Sequence, residues 1–227
     1  MGFLKGYKDI ALAAKHFPAI PSEELIESFQ IQLFDLIGEA YKTIRTPEPF
    51  LDKLDETQIS LSLFDAIKII VSREGLPCFV VSELHEYTDE IREGKKSTIT
   101  AKRYDLYFES WSTLTRVEFG VEAKLLVENY FMGKIATTLI REYVSDAGMR
   151  KYIDGIYKKR GCMIGYVVEG SIANIVEKIN ARIRTSLTNE QCLIRDNSKK
   201  FQHRDIYKSE HPNKLDYILY HLMLQFN

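Results

Sequence analysis

Cysteine, proline and glycine are scarce in this chain of 227 residues: three, six and twelve respectively. Cys78, Cys162 and Cys192 form no C-x-x-C and are too few and too scattered for a disulfide framework, a thioredoxin-like site or a zinc ribbon. They read as thiols in a reducing compartment. Long apolar runs are missing too, for nothing approaches the roughly 18 uncharged apolar residues of a membrane helix. The opening Met-Gly-Phe-Leu-Lys-Gly-Tyr-Lys-Asp interrupts its hydrophobes with charges, which excludes a signal peptide. Gly6 stands where a myristoylation signal has Ser or Thr. These absences predict a soluble, cytoplasmic protein.

There is no internal repeat, low-complexity run or long linker. The composition, 45% hydrophobic and 28% charged, excludes a disordered chain. A chain of this length buries roughly 70% of its unfolded surface, which suits one domain over 1–227. The net charge of −1 argues against a passive nucleic-acid coat. Its distribution is uneven: residues 1–140 carry −6 and residues 141–214 carry +6. Such a separation predicts a basic face wherever folding preserves it.

The helical signals come first. Ser22 is placed to cap a helix with Leu25, Ile26, Phe29, Leu33, Leu36, Ile37 and Ala40 at helical spacing, ending before Pro47. A second helix is expected from about Asp55 to Arg73, so 22–73 forms a helical N-terminal part. Strands follow at 78–81, 104–108 and 117–126, with the polar stretch 90–102 as a loop or hairpin tip. Helices are expected at 127–146 and 147–157, then a strand at 162–168 and a helix capped by Ser171. Residues 78–183 form the sheet-containing core and 184–227 a C-terminal extension. The apolar stretch 218–226 fits a strand or a short helix equally. The order ααβββααβα predicts an α/β or α+β fold around a central sheet.

Chemistry is concentrated in Val117-Glu118-Phe119-Gly120-Val121-Glu122-Ala123-Lys124-Leu125. On a strand, Val117, Phe119 and Val121 share one face and Glu118, Glu122 and Lys124 the other. Asp105 lies inside an apolar strand, where a charge costs several kcal/mol unless paired or metal-bound. Asp105 and Glu122 on neighbouring strands supply two hard oxygen ligands for Mg²⁺, with Lys124 beside them.

Arg103-Tyr104-Asp105-Leu106 and Val121-Glu122-Ala123-Lys124, 17 positions apart from Asp105 to Glu122, resemble the PD-(D/E)XK nuclease superfamily, the fold of restriction endonucleases. Tyr104 stands where that motif has Pro. Asp55-Glu56-Thr57-Gln58-Ile59-Ser60 resembles the superfamily's Glu-bearing helix before the sheet, and Phe79-Val80-Val81-Ser82-Glu83 a first strand ending in Glu. Gly165-Tyr166-Val167-Val168-Glu169-Gly170 extends the likeness, which spans roughly 55–183.

The resemblance implies a restriction endonuclease-like α/β fold, a central mixed β-sheet flanked by helices, that hydrolyses DNA phosphodiesters in defence or DNA processing. Asp105, Glu122 and the Ala123 carbonyl would hold one or two Mg²⁺ or Mn²⁺ ions. Lys124 would position a water and neutralise developing charge. Glu56 would complete a second metal position or orient a ligand, with Glu83 a weaker candidate and Glu118 structural. RNA is a less favoured substrate, and duplex cutting makes a homodimer plausible. The alternative is an inactive DNA- or protein-binding module within a larger complex. Without the resemblance, Glu122 and Lys124 read as an ordinary pair on a solvated strand face, with Asp105 satisfied by Arg103.

Other motifs point to less. Gly165 to Ser171 has the glycine spacing of a phosphate loop without its Lys, so a strand–turn–helix junction is expected. His85-Glu86-Tyr87-Thr88-Asp89 lacks the second His of a zincin helix. His203, His211 and His221 keep no metal-ligand spacing with any Cys. Lys158-Lys159-Arg160, with Lys199-Lys200 and Arg204, are the candidate contacts to a DNA backbone.

Overall fold

The computed structural model describes residues 21–45, 55–86, 89–95, 97, 101–112, 115–187, 191–212 and 214–226. The opening segment and Pro47 lie outside the described residues. In chain order the elements are α1 (Glu23–Arg45), α2 (Glu56–Glu74), β1 (Cys78–Glu86), α3 (Asp89–Arg92), β2 (Lys102–Ser112) and β3 (Thr115–Val127). There follow β4 (Tyr130–Phe131), β5 (Lys134–Ile135), α4 (Ala136–Val144), α5 (Arg150–Ile153), β6 (Gly161–Glu169) and α6 (Ile172–Ser186). The chain ends in β7 (Ile194–Arg195), β8 (Ile206–Ser209) and β9 (Leu219–Gln225).

Local chemistry sets the helix ends. Asp55 caps α2 by accepting the Gln58 N–H at 2.8 Å, and Gly75 closes it with a left-handed φ of 63°. Ser22 Oγ accepts from Leu25 N at 3.3 Å, and Ser171 Oγ accepts from Asn174 N at 3.3 Å. Glu23 and Glu24 open α1 and Lys42 and Arg45 close it, a distribution that complements the helix dipole.

Seven strands form one mixed sheet in the order β1-β2-β3-β6-β9-β8-β7. β3, β6 and β9 run parallel at its centre, and the outer pairs are antiparallel. Phe34 of α1 packs edge-on to Phe119 of β3 and Tyr220 of β9, and Ser60 of α2 bonds Tyr166 of β6. α1 and α2 therefore cover the face carrying Phe119 and Leu125. Tyr143 of α4 bonds His221, which lies in the same row as Met163 and Glu122 on the other face. The fold is α/β, a mixed sheet flanked by helices.

Three expectations need correction. The stretch 127–146 is not helical throughout: β4 and β5 form a hairpin before α4 starts at Ala136. Met132 and Gly133 at its tip have φ of 47° and 82°, the left-handed pair of a tight hairpin turn. The C-terminal extension belongs to the sheet, since β9 pairs in parallel with β6, and 218–226 resolves as a strand. Within 90–102 the chain makes the one-turn helix α3, while residues 96 and 98–100 lie outside the described residues. No helix among the described residues is long and apolar enough to cross a membrane.

Candidate active site

β2 and β3 pair from Ser112↔Thr115 to Leu106↔Val121, and there the ladder stops. Beyond Val121, β3 keeps its ladder with β6 alone, so the N–H groups on its β2 side need other acceptors. Carboxylates supply them. Asp105 Oδ2 accepts the Ala123 N–H at 2.7 Å, and Glu56 Oε2 accepts the Leu125 N–H at 3.0 Å. Opposite Asp105, Glu83 drops out of the β1–β2 ladder with a left-handed φ of 57°, a costly conformation for glutamate. Glu83 is half-exposed and pairs with Arg103 at 3.2 Å. Arg103 thus serves Glu83, while Asp105 is satisfied by the main chain.

The gap opens into a cavity of about 490 Å³ lined by Glu56, Asp105, Glu122, Lys124 and Lys151, with Glu142 and the exposed His85 and Arg103. Lys124 Nζ lies 2.7 Å from the Ala123 carbonyl, 2.9 Å from Glu56 Oε1 and 2.9 Å from Glu122 Oε1. Glu122, 1% exposed, also meets Lys151 Nζ at 2.6 Å through Oε1 and the Tyr157 hydroxyl at 2.6 Å through Oε2. Tyr157 in turn bonds the Arg103 carbonyl, tying the loop before β6 to β2.

Glu122 and Lys124 do not lie on a solvated face. Alternation places them correctly on one side of β3, but β3 is central and covered on both sides, so both are buried. Burial, reinforced by the charge of Glu122, lifts the Asp105 carboxyl from 3.8 to about 7, against the pull of Lys124 and the Ala123 N–H. Burial alone would depress the Lys124 ammonium. The carboxylates of Glu122, Glu56 and Asp105 outweigh it and hold the lysine above its ordinary value.

Among the described residues no three His, Cys, Asp or Glu side chains are arranged to hold an ion by themselves. The donors to hand are two carboxylates, Asp105 and Glu122, and a main-chain oxygen, that of Ala123, which is the hard-oxygen chemistry Mg²⁺ and Mn²⁺ take. Glu56 grips Lys124 and the β3 backbone. Glu118 stays outside the cluster, bonded to Tyr107, Arg116 and Lys159.

The basic run divides. Lys158 is exposed, Lys159 pairs with Glu118, and Arg160 holds Glu23 through two 2.8 Å bonds and approaches Asp216 at 3.8 Å. With Lys200 on Glu27, much of the charge separation along the chain is cancelled across the fold. The glycine-spaced segment is the expected strand–turn–helix junction: Gly170, φ 87°, links β6 to the Ser171 cap.

Lys151 and Tyr157 are the site residues that the strand motif did not reveal. They arrive on the crossover between β3 and β6, and no spacing in that segment marks them. The chain matches no protein-family model, no curated protein and no solved structure. What it does must therefore be argued from this site.

Proposed function

We propose that this chain is a metal-dependent phosphodiesterase acting on DNA, a restriction endonuclease-like member of the PD-(D/E)XK superfamily. One observation supports the reading: Asp105, Glu122, the Ala123 carbonyl and Lys124 converge on one cavity where β2 and β3 part. Asp105, Glu122 and the Ala123 oxygen would hold Mg²⁺ or Mn²⁺. An ion bound there supplies Lewis-acid polarisation of a phosphoryl oxygen and a water acidified toward neutral pH. Lys124, kept protonated by its carboxylate neighbours, would orient that water and stabilise charge developing on the phosphoryl group. Glu56 is a positioning residue, fixing the Lys124 ammonium from the first turn of α2. Lys158, Lys199, Lys200 and Arg204 are the exposed members of the candidate DNA-backbone contacts, and the three free thiols suit a reducing cytoplasm. Cutting both strands calls for two such sites, hence a homodimer on duplex DNA.

The test is cleavage of supercoiled plasmid, linear duplex, single-stranded DNA and RNA with Mg²⁺ or Mn²⁺, beside Glu122→Gln. Metal-dependent cleavage of DNA lost in the variant supports the reading. Preference for RNA would move the substrate class. A second reading, an inactive binding module, draws on the fact that Glu122 already has three partners, Lys124, Lys151 and Tyr157. Mn²⁺ binding that disappears in Asp105→Asn separates the two, because a module whose carboxylates only pair with lysines needs no ion.

A further inference from the structure

Glu122 Oε1 is shared by two ammonium groups, Lys151 at 2.6 Å and Lys124 at 2.9 Å, and all three side chains are largely buried. The two lysines are not equivalent. Lys124 has the Ala123 carbonyl and Glu56 as further acceptors. Among the described residues the Lys151 ammonium has Glu122 as its sole hydrogen-bond acceptor, and beyond it only the face of Tyr157, 5.3 Å to the ring centre. Any cation that takes Glu122 therefore displaces Lys151 at least cost, and Lys124 stays where Glu56 and the backbone hold it. A lysine set free in this way remains tethered to α5 on the wall of the same cavity, with a full charge and three donors to satisfy.

We infer that Lys151 is a built-in placeholder: it neutralises Glu122 in the metal-free protein and, once displaced, binds a non-bridging oxygen of the substrate's phosphodiester. This rests on the metal-dependent nuclease reading and adds a residue that the D…E-x-K motif does not contain. It also answers a physical problem, since a buried Glu122 deprived of its cation partners is strongly unfavourable.

The experiment is an Mn²⁺ titration of the intact chain followed by paramagnetic resonance, paired with steady-state cleavage, for wild type, Lys151→Met, Lys151→Arg and the surface control Lys68→Met. Removing a competing charge from the carboxylate should tighten Mn²⁺ binding about tenfold in Lys151→Met. Loss of the phosphate contact should raise KM about tenfold with a smaller change in kcat. Lys151→Arg should restore both toward wild type, and Lys68→Met should change neither. If wild type binds Mn²⁺ and cleaves while Lys151→Met binds it no more tightly, the placeholder is overturned and the nuclease reading stands. If Mn²⁺ affinity rises but KM is unmoved, the phosphate contact is overturned. If wild type neither binds Mn²⁺ nor cleaves, the nuclease reading fails and this inference falls with it.

Discussion

Asp105 on β2 accepts a hydrogen bond from the backbone N–H of Ala123 on β3 at 2.7 Å, where a strand-to-strand bond would otherwise be. The substitution of a side chain for a ladder partner keeps the two strands apart and leaves the cavity between them. It also buries a carboxylate beside another, Glu122, which is why the Asp105 carboxyl is lifted to about 7.

That lift has a sign. The unfolded chain releases this proton near 3.8 and the folded chain near 7, so between those values the folded state binds the extra proton. Stability from this group is fully present at low pH and is lost as pH rises toward 7. Asp105→Asn, which keeps an acceptor for Ala123, should therefore raise stability at pH 8 by on the order of 1–2 kcal/mol in urea titrations. A variant no more stable than the native chain at pH 8 would show that Asp105 is not strained by its neighbours.

Lys124 has a cost of removal that its place in a strand motif does not suggest. It is buried against Glu56 and Glu122, so Lys124→Ala leaves two carboxylates short of a counter-charge. Glu122 retains Lys151, so the loss should fall at the lower end of the about 3–5 kcal/mol typical of a broken buried pair. Inactivity of this variant counts as loss of the chemical group only where its unfolding curve shows it folded at the assay temperature. Lys124→Ala with an unchanged midpoint would contradict the network.

How much of this was readable in advance depends on the distance over which the cause acts. The caps at Ser22, Asp55 and Ser171 and the faces of β3 follow from residues within a turn or a pleat of each other, and they stand as read. The hairpin at Met132-Gly133 was missed because Met takes a left-handed φ there that its side chain does not advertise. β7 and β8 are two and four residues long, too short for a period. Alternation placed Glu122 and Lys124 on one face but could not say that α4 and α5 would cover it. Lys151 and Tyr157 reach the site only through that covering, so no local pattern points to them.

Gly120 connects packing to the site. A Cβ there would lie 2.2 Å from Tyr104 Cε1, and Tyr104 cannot yield easily because it stacks on Tyr157 at 3.9 Å between ring centres. Gly120→Ala should cost about 1–3 kcal/mol as overpacking and should also disturb Glu122, which Tyr157 holds at 2.6 Å. Gly38→Ala in α1 is the contrast: its Cβ meets nothing closer than 3.4 Å, and helix propensity favours alanine by up to about 1 kcal/mol. Differential scanning calorimetry should move the two midpoints in opposite directions, and a Gly120→Ala midpoint at or above that of the native chain would refute the wedge.

On the same sheet face, Tyr143, His221, Ser209 and His211 form a buried chain with successive contacts of 2.8 Å. His211 Nδ1 ends it, buried and without a hydrogen-bond partner among the described residues. Burial lowers His211 to about 4 and His221 to about 3, the latter assisted by His211. Both stay neutral in the folded chain while the unfolded chain protonates them near 6.5. Their contribution is intact above 6.5 and is lost as pH falls toward 4, at up to about 1.4 kcal/mol per pH step for each histidine. Asp105 acts oppositely over much of that range, so the measurement belongs in Asp105→Asn, where the histidines are unopposed. Urea midpoints there should fall steadily from pH 6.5 to 4.5, and adding His211→Gln, which keeps a polar group for Ser209, should roughly halve the slope. A slope unchanged by His211→Gln would mean that the acid sensitivity comes from other groups and that this chain is not what makes the fold prefer neutral pH.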